Sequence, residues 1–170
     1  EKPGNVMVVS GKNSKKIDYI LAAVNAGLNV YADKPLVVNQ KGFEKLKKVF
    51  EIAKEKNLLV YDIMTERFEV TTGLQKALSM QPEVFGMLLD GSVSEPSISK
   101  ESVHHLSKIV SGKPLVRPSW FLDTNQQGEG IVDVTTHLVD LIQWEAFPGQ
   151  IIDSSEIEII SSKRWTTNLA

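Results

Sequence analysis

The run Asn5-Val6-Met7-Val8-Val9-Ser10 is short, apolar and rich in β-branched residues, the pattern of a strand buried on both faces of a parallel sheet. After it, Asn13 or Ser14 can cap a helix, Ile17, Ile20, Leu21 and Val24 recur at i, i+3, i+4 and i+7, and Gly27 supplies a left-handed stop. Leu28 to Asp33 predicts the next strand, ended by Lys34-Pro35. Asn39 opens a second helix whose apolar positions are Phe43, Leu46, Val49, Phe50 and Ala53; Asn57 closes it, and Leu58-Leu59-Val60-Tyr61 supplies a third strand. Strands alternating with helices of this length imply βαβ crossovers and a parallel sheet.

Near residues 62 to 66 the pattern changes. A helix is expected from Glu66 to Met80 on Phe68, Leu74, Ala77 and Leu78, with Pro82 ending it. Val84 to Asp90 reads as a strand, Lys100 to Val110 as a short helix, and Pro114 to Leu122 and Ile157 to Ser161 as strands of a second, mostly antiparallel sheet. The expectation is therefore an α/β part over residues 1–63 and an α+β part over residues 64–170.

Bulk properties narrow the function. With 19 basic and 21 acidic residues the formal net charge is -2, and no basic stripe exists to neutralise nucleic-acid phosphates. The densest basic run, Lys45 to Lys54, is accompanied by Glu44, Glu51 and Glu55, which suits a solvated helix face. No apolar run reaches the roughly 18 residues needed to cross a bilayer. Cysteine is absent, which excludes thiolate catalysis and cysteine-ligated metals. No targeting segment is legible, so a cytoplasmic location is favoured and export is left open.

The segment Gln126-Gln127-Gly128-Glu129-Gly130 is a flexible lead-in, and Ile131 to Ala146 reads as one helix with two faces. Ile131, Val134, Leu138, Leu141 and Ile142 make an apolar stripe, while Asp133, His137, Asp140 and Trp144 recur at spacings of four, three and four. A carboxylate one turn from a histidine can hold the imidazole in one orientation, as a general base requires. The same spacing also serves a surface ion pair. A metal site is disfavoured because no second histidine falls at ligand spacing, His104 and His105 lying in a different, polar segment.

The order Val6-Met7-Val8-Val9-Ser10-Gly11-Lys12-Asn13, a helix ending in Ala26-Gly27, then Val30-Tyr31-Ala32-Asp33-Lys34-Pro35-Leu36 resembles the second half of the dinucleotide-binding domain in the glucose-fructose oxidoreductase and inositol dehydrogenase family. That family ends a strand in Glu-Lys-Pro, where this chain has Asp33-Lys34-Pro35. Gly128 to His137 resembles the same family's glycine-rich lead-in followed by Asp-x-x-x-His. The stretch Gly91 to Leu122 and Lys163-Arg164-Trp165 are similar to a subgroup known only as oxidoreductases.

The resemblance implies the C-terminal half of a Rossmann-type sheet and NAD or NADP as cofactor, and it implies oxidation of a sugar or polyol hydroxyl. On matching positions His137 is the base, Asp133 orients it or holds the substrate hydroxyl, and Lys34 stabilises the developing alkoxide. Ser10, Asn13, Asp33 and Lys34 are the expected cofactor contacts, although Asn13 serves equally as a helix cap and Lys34 as a solvent-facing lysine. Arg67, Arg117 and Trp120, with Trp144, are candidates to line a sugar site. The family's Gly-x-Gly-x-x-Gly turn does not occur in the 170 residues. The chain is thus expected to be a central fragment, short of about seventy to a hundred residues of the first βαβ half and of the C-terminal end. Weak cofactor binding and inactivity of these residues alone follow. Self-association through an open sheet face is implied by analogy. Two other functions fit: a nicotinamide-dependent glycosidase on the same scaffold, and a non-catalytic binding module.

Overall fold

The computed structural model describes residues 4–101 and 107–165; His104 and His105, and part of the helix expected over residues 100–110, lie outside them. Strands β1 (Val6–Val9), β2 (Asn29–Asp33) and β3 (Val60–Ile63) form a parallel sheet in the order β1-β2-β3. Val6 lies opposite Asn29, and Val30 opposite Val60. The crossovers are helices α1 (Asn13–Asn25) and α2 (Gln40–Glu55), as the alternating pattern predicts.

Both helices pack on one face of the sheet, α2 with Val49 and Ala53 buried, while Phe43 and Phe50, expected on its apolar stripe, stand 45% and 49% exposed. Val9, Val30 and Ala32 from the strands meet Ile17, Ile20, Ala23 and Val24 of α1 and Val49 of α2. Each fully buried aliphatic side chain in such a core contributes roughly 1.5–3 kcal/mol. The opposite face is open: Val8 is 67% exposed, and Val6, Tyr31 and Tyr61 are exposed too. Burial of β1 on both faces, expected from its continuous apolar run, is therefore not observed. Tyr31 and Tyr61 stack there with centroids 6.1 Å apart, each shielding part of its neighbour.

Local chemistry sets the helix ends. The Asn39 carboxamide oxygen accepts from the Gly42 amide at 2.9 Å and caps α2. Gly27 and Asn57 take φ of 76° and 52° after α1 and α2. The start of α1 differs from expectation: Lys12 is its cap without a side-chain bond, and Asn13 is the first helical residue.

Beyond β3, a 3-10 turn (Thr65–Phe68) precedes α3 (Val70–Ser79) and the single turn α4 (Pro82–Phe85). The helix expected over 66–80 is split, and Phe68 is 85% exposed. Strands β4 (Ile109–Val110) and β5 (Lys113–Pro114) form a two-stranded antiparallel sheet. The strands expected at Val84–Asp90 and Ile157–Ser161 are absent among the described residues, and of the one expected at Pro114–Leu122 only Pro114 is in a strand, in β5. Ser119–Leu122 is a 3-10 turn, and Leu89 and Ile159 stand 77% and 80% exposed. A strand is held by a neighbour's main-chain groups, and the last such bond beside β5 is from the Leu115 amide to the Lys108 carbonyl at 2.8 Å. The chain then forms α5 (Thr124–Gln127), α6 (Gly130–Asp133) and α7 (Thr136–Ala146), with α7 packed against α3. No helix of the described residues is long and apolar enough to cross a membrane.

Candidate functional site

Ligands of open α/β sheets gather at the carboxyl ends of the strands. Here Ser10 follows β1 and is exposed, Asp33 closes β2, and Lys34 comes next, joined to Pro35 by a cis peptide. The side chain of Lys34 reaches the last residue of α6. It donates to the main-chain oxygen of Asp133 and lies 3.5 Å from its carboxylate. An ammonium carries three donors, and among the described residues the third has no protein partner; the side chain stays 18% exposed.

Asp133 itself is buried, at 9% exposure. Its Oδ1 accepts from Gln127 Nε2 at 3.1 Å and from Asn13 Nδ2 at 3.3 Å. The Asn13 amide also donates to the Gln127 carbonyl at 2.8 Å. Asn13 is thus a bridge between the first turn of α1 and the segment before α6, and the capping role is excluded.

Beneath this group lies a residue that sequence reasoning missed. Lys16 is completely buried. Its Nζ donates to Asn13 Oδ1 at 2.8 Å, to the Asp33 carbonyl at 2.7 Å and to the Lys34 carbonyl at 3.4 Å. Burial pushes its pKa down from 10.5 to about 8, with Asp33 and Asp133 opposing the shift and Lys34 adding to it. The available signal was spacing: positions 13, 16, 17, 20 and 24 share the inward face of α1.

His137 is reached differently from the sequence-based expectation. The single helix from Ile131 to Ala146 is broken at Val134 and Thr135, where the Gly130 carbonyl accepts from both the Val134 and Thr135 amides. The run Val132-Asp133-Val134-Thr135-Thr136 is rich in β-branched residues, and the Thr136 hydroxyl donates back to the Val132 carbonyl, which favours a break. The carboxylate beside His137 is Glu66, with Oε1 3.5 Å from Nδ1, rather than Asp133. Glu66 follows β3, so His137 and Lys34 stand at the carboxyl ends of adjacent strands.

Arg67 forms a two-pronged bond to Asp140, with Nε 2.7 Å from Oδ2 and a second contact from Nη2 to Oδ1. That bond, the largest influence on Arg67, raises its pKa. Asp62, exposed as a whole residue, has its carboxyl pKa raised by desolvation, which Arg67 opposes and Asp140 reinforces. Arg67 is consequently engaged in a fixed pair. Arg117 stacks over Phe121 at 4.5 Å and its buried Nε lacks a hydrogen-bond partner. Trp120 is covered by the Lys12 ammonium at 4.9 Å, and Trp144 by that of Lys76 at 3.8 Å. A broad apolar groove lined by Leu74, Leu78, Phe85, Leu88 and Ile142 shares no residue with the Lys34 centre.

Gly128 lets the two parts of the chain meet. Its φ is +93°, and a Cβ there would sit 3.1 Å from Val38 Cγ1. Gly128→Ala is expected to cost about 1–3 kcal/mol in chemical denaturation from strain and contact together. Gly130→Ala, with nothing within 4 Å of the added methyl, is the control and should be neutral or stabilising. Equal stabilities for the two variants would refute the close approach.

Residues 74–170 match the family model described as "Putative oxidoreductase C terminal domain". Among solved structures, a putative oxidoreductase from Parabacteroides merdae is 60% identical with a TM-score of 0.85, over 91% of this chain and 35% of that one. An NAD-binding protein from Listeria innocua is 15% identical with a TM-score of 0.62, over 86% and 38%. Myo-inositol 2-dehydrogenase from Lactobacillus plantarum is 16% identical with a TM-score of 0.58, over 85% and 38%. The last two likenesses concern the fold. This chain spans little more than a third of each of these proteins. No curated protein matches.

Proposed function

Since the chain belongs to the oxidoreductase C-terminal domain family and has the mixed α/β fold of Rossmann-type dehydrogenases, we propose that it carries the reaction centre of a nicotinamide-dependent oxidoreductase acting on a sugar or polyol hydroxyl. Residues 1–63 are the cofactor side and residues 64–170 the substrate side. The observation that carries the reading is the meeting of Lys34 with Asp133, 99 positions apart in sequence, with one ammonium donor left open.

The groups at the strand ends suit the nicotinamide-ribose end of a dinucleotide: the exposed Ser10 hydroxyl, the Asp33 carboxylate and the open Lys34 donor. The pyrophosphate calls for the main-chain amides of a glycine-rich turn, and the sequence contains no Gly-x-Gly-x-x-Gly. When bound, NAD or NADP supplies the hydride acceptor. The protein's own work is on the hydroxyl. Glu66 stands 3.5 Å from Nδ1 of His137, so Nε2 is the ring nitrogen left to serve as the base. Lys34 stabilises the oxygen that loses the proton, and Asp133 holds the ammonium in place.

The test uses full-length protein, NAD and NADP, and a panel of sugars and polyols. Substrate-dependent appearance of reduced nicotinamide supports the proposal; release of an aglycone without net reduction shifts it to glycoside cleavage, and neither outcome across the panel refutes it. These 170 residues alone are expected to bind NAD and NADP very weakly or not at all. Calorimetric titration showing an affinity of about a micromolar would overturn that expectation.

A further inference from the structure

We infer that Lys16 is a positioning residue whose proton fixes the Asn13 carboxamide, and through it the Asp133 carboxylate that receives Lys34. The inference rests on the reading of Lys34 and Asp133 given above. An ammonium has three N–H donors and no acceptor, and Lys16 faces three acceptors: Asn13 Oδ1, the Asp33 carbonyl and the Lys34 carbonyl. Protonated Lys16 therefore requires the Asn13 oxygen to point at it. That leaves the Asn13 amide to donate to the Gln127 carbonyl and to Asp133 Oδ1.

Removal of the proton reverses this logic. A neutral amine has two donors and one lone pair, so every group stays satisfied only if one of the three partners becomes a donor. The two main-chain carbonyls cannot, whereas the Asn13 carboxamide can turn over and present its amide. Turning it takes the donor away from Asp133 and places the carboxamide oxygen against a buried carboxylate, an unfavourable contact. Lys16 is completely buried and Asn13 only 3% exposed, so water does not readily substitute between them. The charged groups acting on Lys16 among the described residues are Asp33 and Lys34 at the end of β2 and Asp133 of α6, and burial outweighs them to set its midpoint at about 8. Both states are thus reached near neutral pH.

The test follows the side-chain amide of Asn13 by NMR in full-length protein labelled at asparagine, with assignment by its loss in Asn13→Ser. In the wild type the Asn13 signals should titrate with a midpoint near 8 as pH rises from about 7 to about 10. In Lys16→Met that titration should vanish, and the Asn13 amide protons should exchange about tenfold faster. Flat Asn13 signals in the wild type overturn the inference without reference to the variant, which covers a Lys16→Met protein that fails to fold. A folded Lys16→Met protein whose Asn13 still titrates overturns it as well. The readout is independent of turnover. A protein that shows the titration and oxidises nothing keeps this inference and removes the proposed function, and an active protein with flat Asn13 signals does the reverse.

Discussion

Replacing His137 by Ala in the full-length protein is expected to lower turnover by about a hundredfold to ten-thousandfold, the usual cost of losing a positioned base, while dinucleotide affinity stays nearly unchanged. The deficit should shrink as pH rises, because solvent hydroxide then competes with the missing base. Stability should barely change. The partner of His137 is Glu66, 3.5 Å away and 39% exposed, and pairs of that kind contribute little. Steady-state rates, a dinucleotide titration and a thermal melt on the same preparation check all three. A sharp fall in melting temperature with unchanged specific activity per folded molecule would make His137 a structural residue.

Lys34→Ala should damage two functions at once. Loss of a donor aimed at developing negative charge costs about a hundredfold to a thousandfold in turnover, and dinucleotide affinity should weaken as well, because Lys34 stands where β2 ends. The expected structural penalty is smaller, since Asp133 keeps the donors of Gln127 and Asn13. Turnover, dinucleotide affinity and denaturation of Lys34→Ala and of Lys34→Ala with Asp133→Asn separate these effects. Unchanged dinucleotide affinity would remove Lys34 from the cofactor side, and unchanged turnover would dismantle the centre.

What was legible in the sequence was local. The helical spacing places Ile17, Ile20, Val24, Val49 and Ala53 on inward faces, where they are buried, because helix periodicity acts over a few residues; Phe43 and Phe50, read by the same spacing, are exposed. The two motifs in family order imply that Lys34 converges with an Asp133 and His137 pair; Lys34 meets Asp133, whereas His137 has Glu66 as its carboxylate partner. Periodicity said nothing about which face of the sheet would be covered, so the exposure of Val8 was missed. Strict helical spacing tied His137 to Asp133, and the break at Val134 and Thr135 gave it Glu66 instead. The bond of Arg67 to Asp140 joins residues 73 positions apart, which no local pattern encodes. Lys16 is absent from the sequence-based site because lysine is mostly an exposed residue type, whereas its place on the inward stripe of α1 buries it completely.

The bonds that close the centre link Lys34 with Asp133, Asn13 with Gln127 and Asn13 with Asp133 over 99, 114 and 120 positions. Loop closure on that scale costs entropy that no neighbouring turn repays, whereas the parallel sheet forms from strands only a helix apart. The centre is therefore expected to form after the sheet, which slower protection of the Asn13 side-chain amide than of the β1 and β2 amides in pulse-labelled refolding would show. Neither part by itself holds the chemistry, since Lys34 and Asn13 come from one and Gln127 and Asp133 from the other.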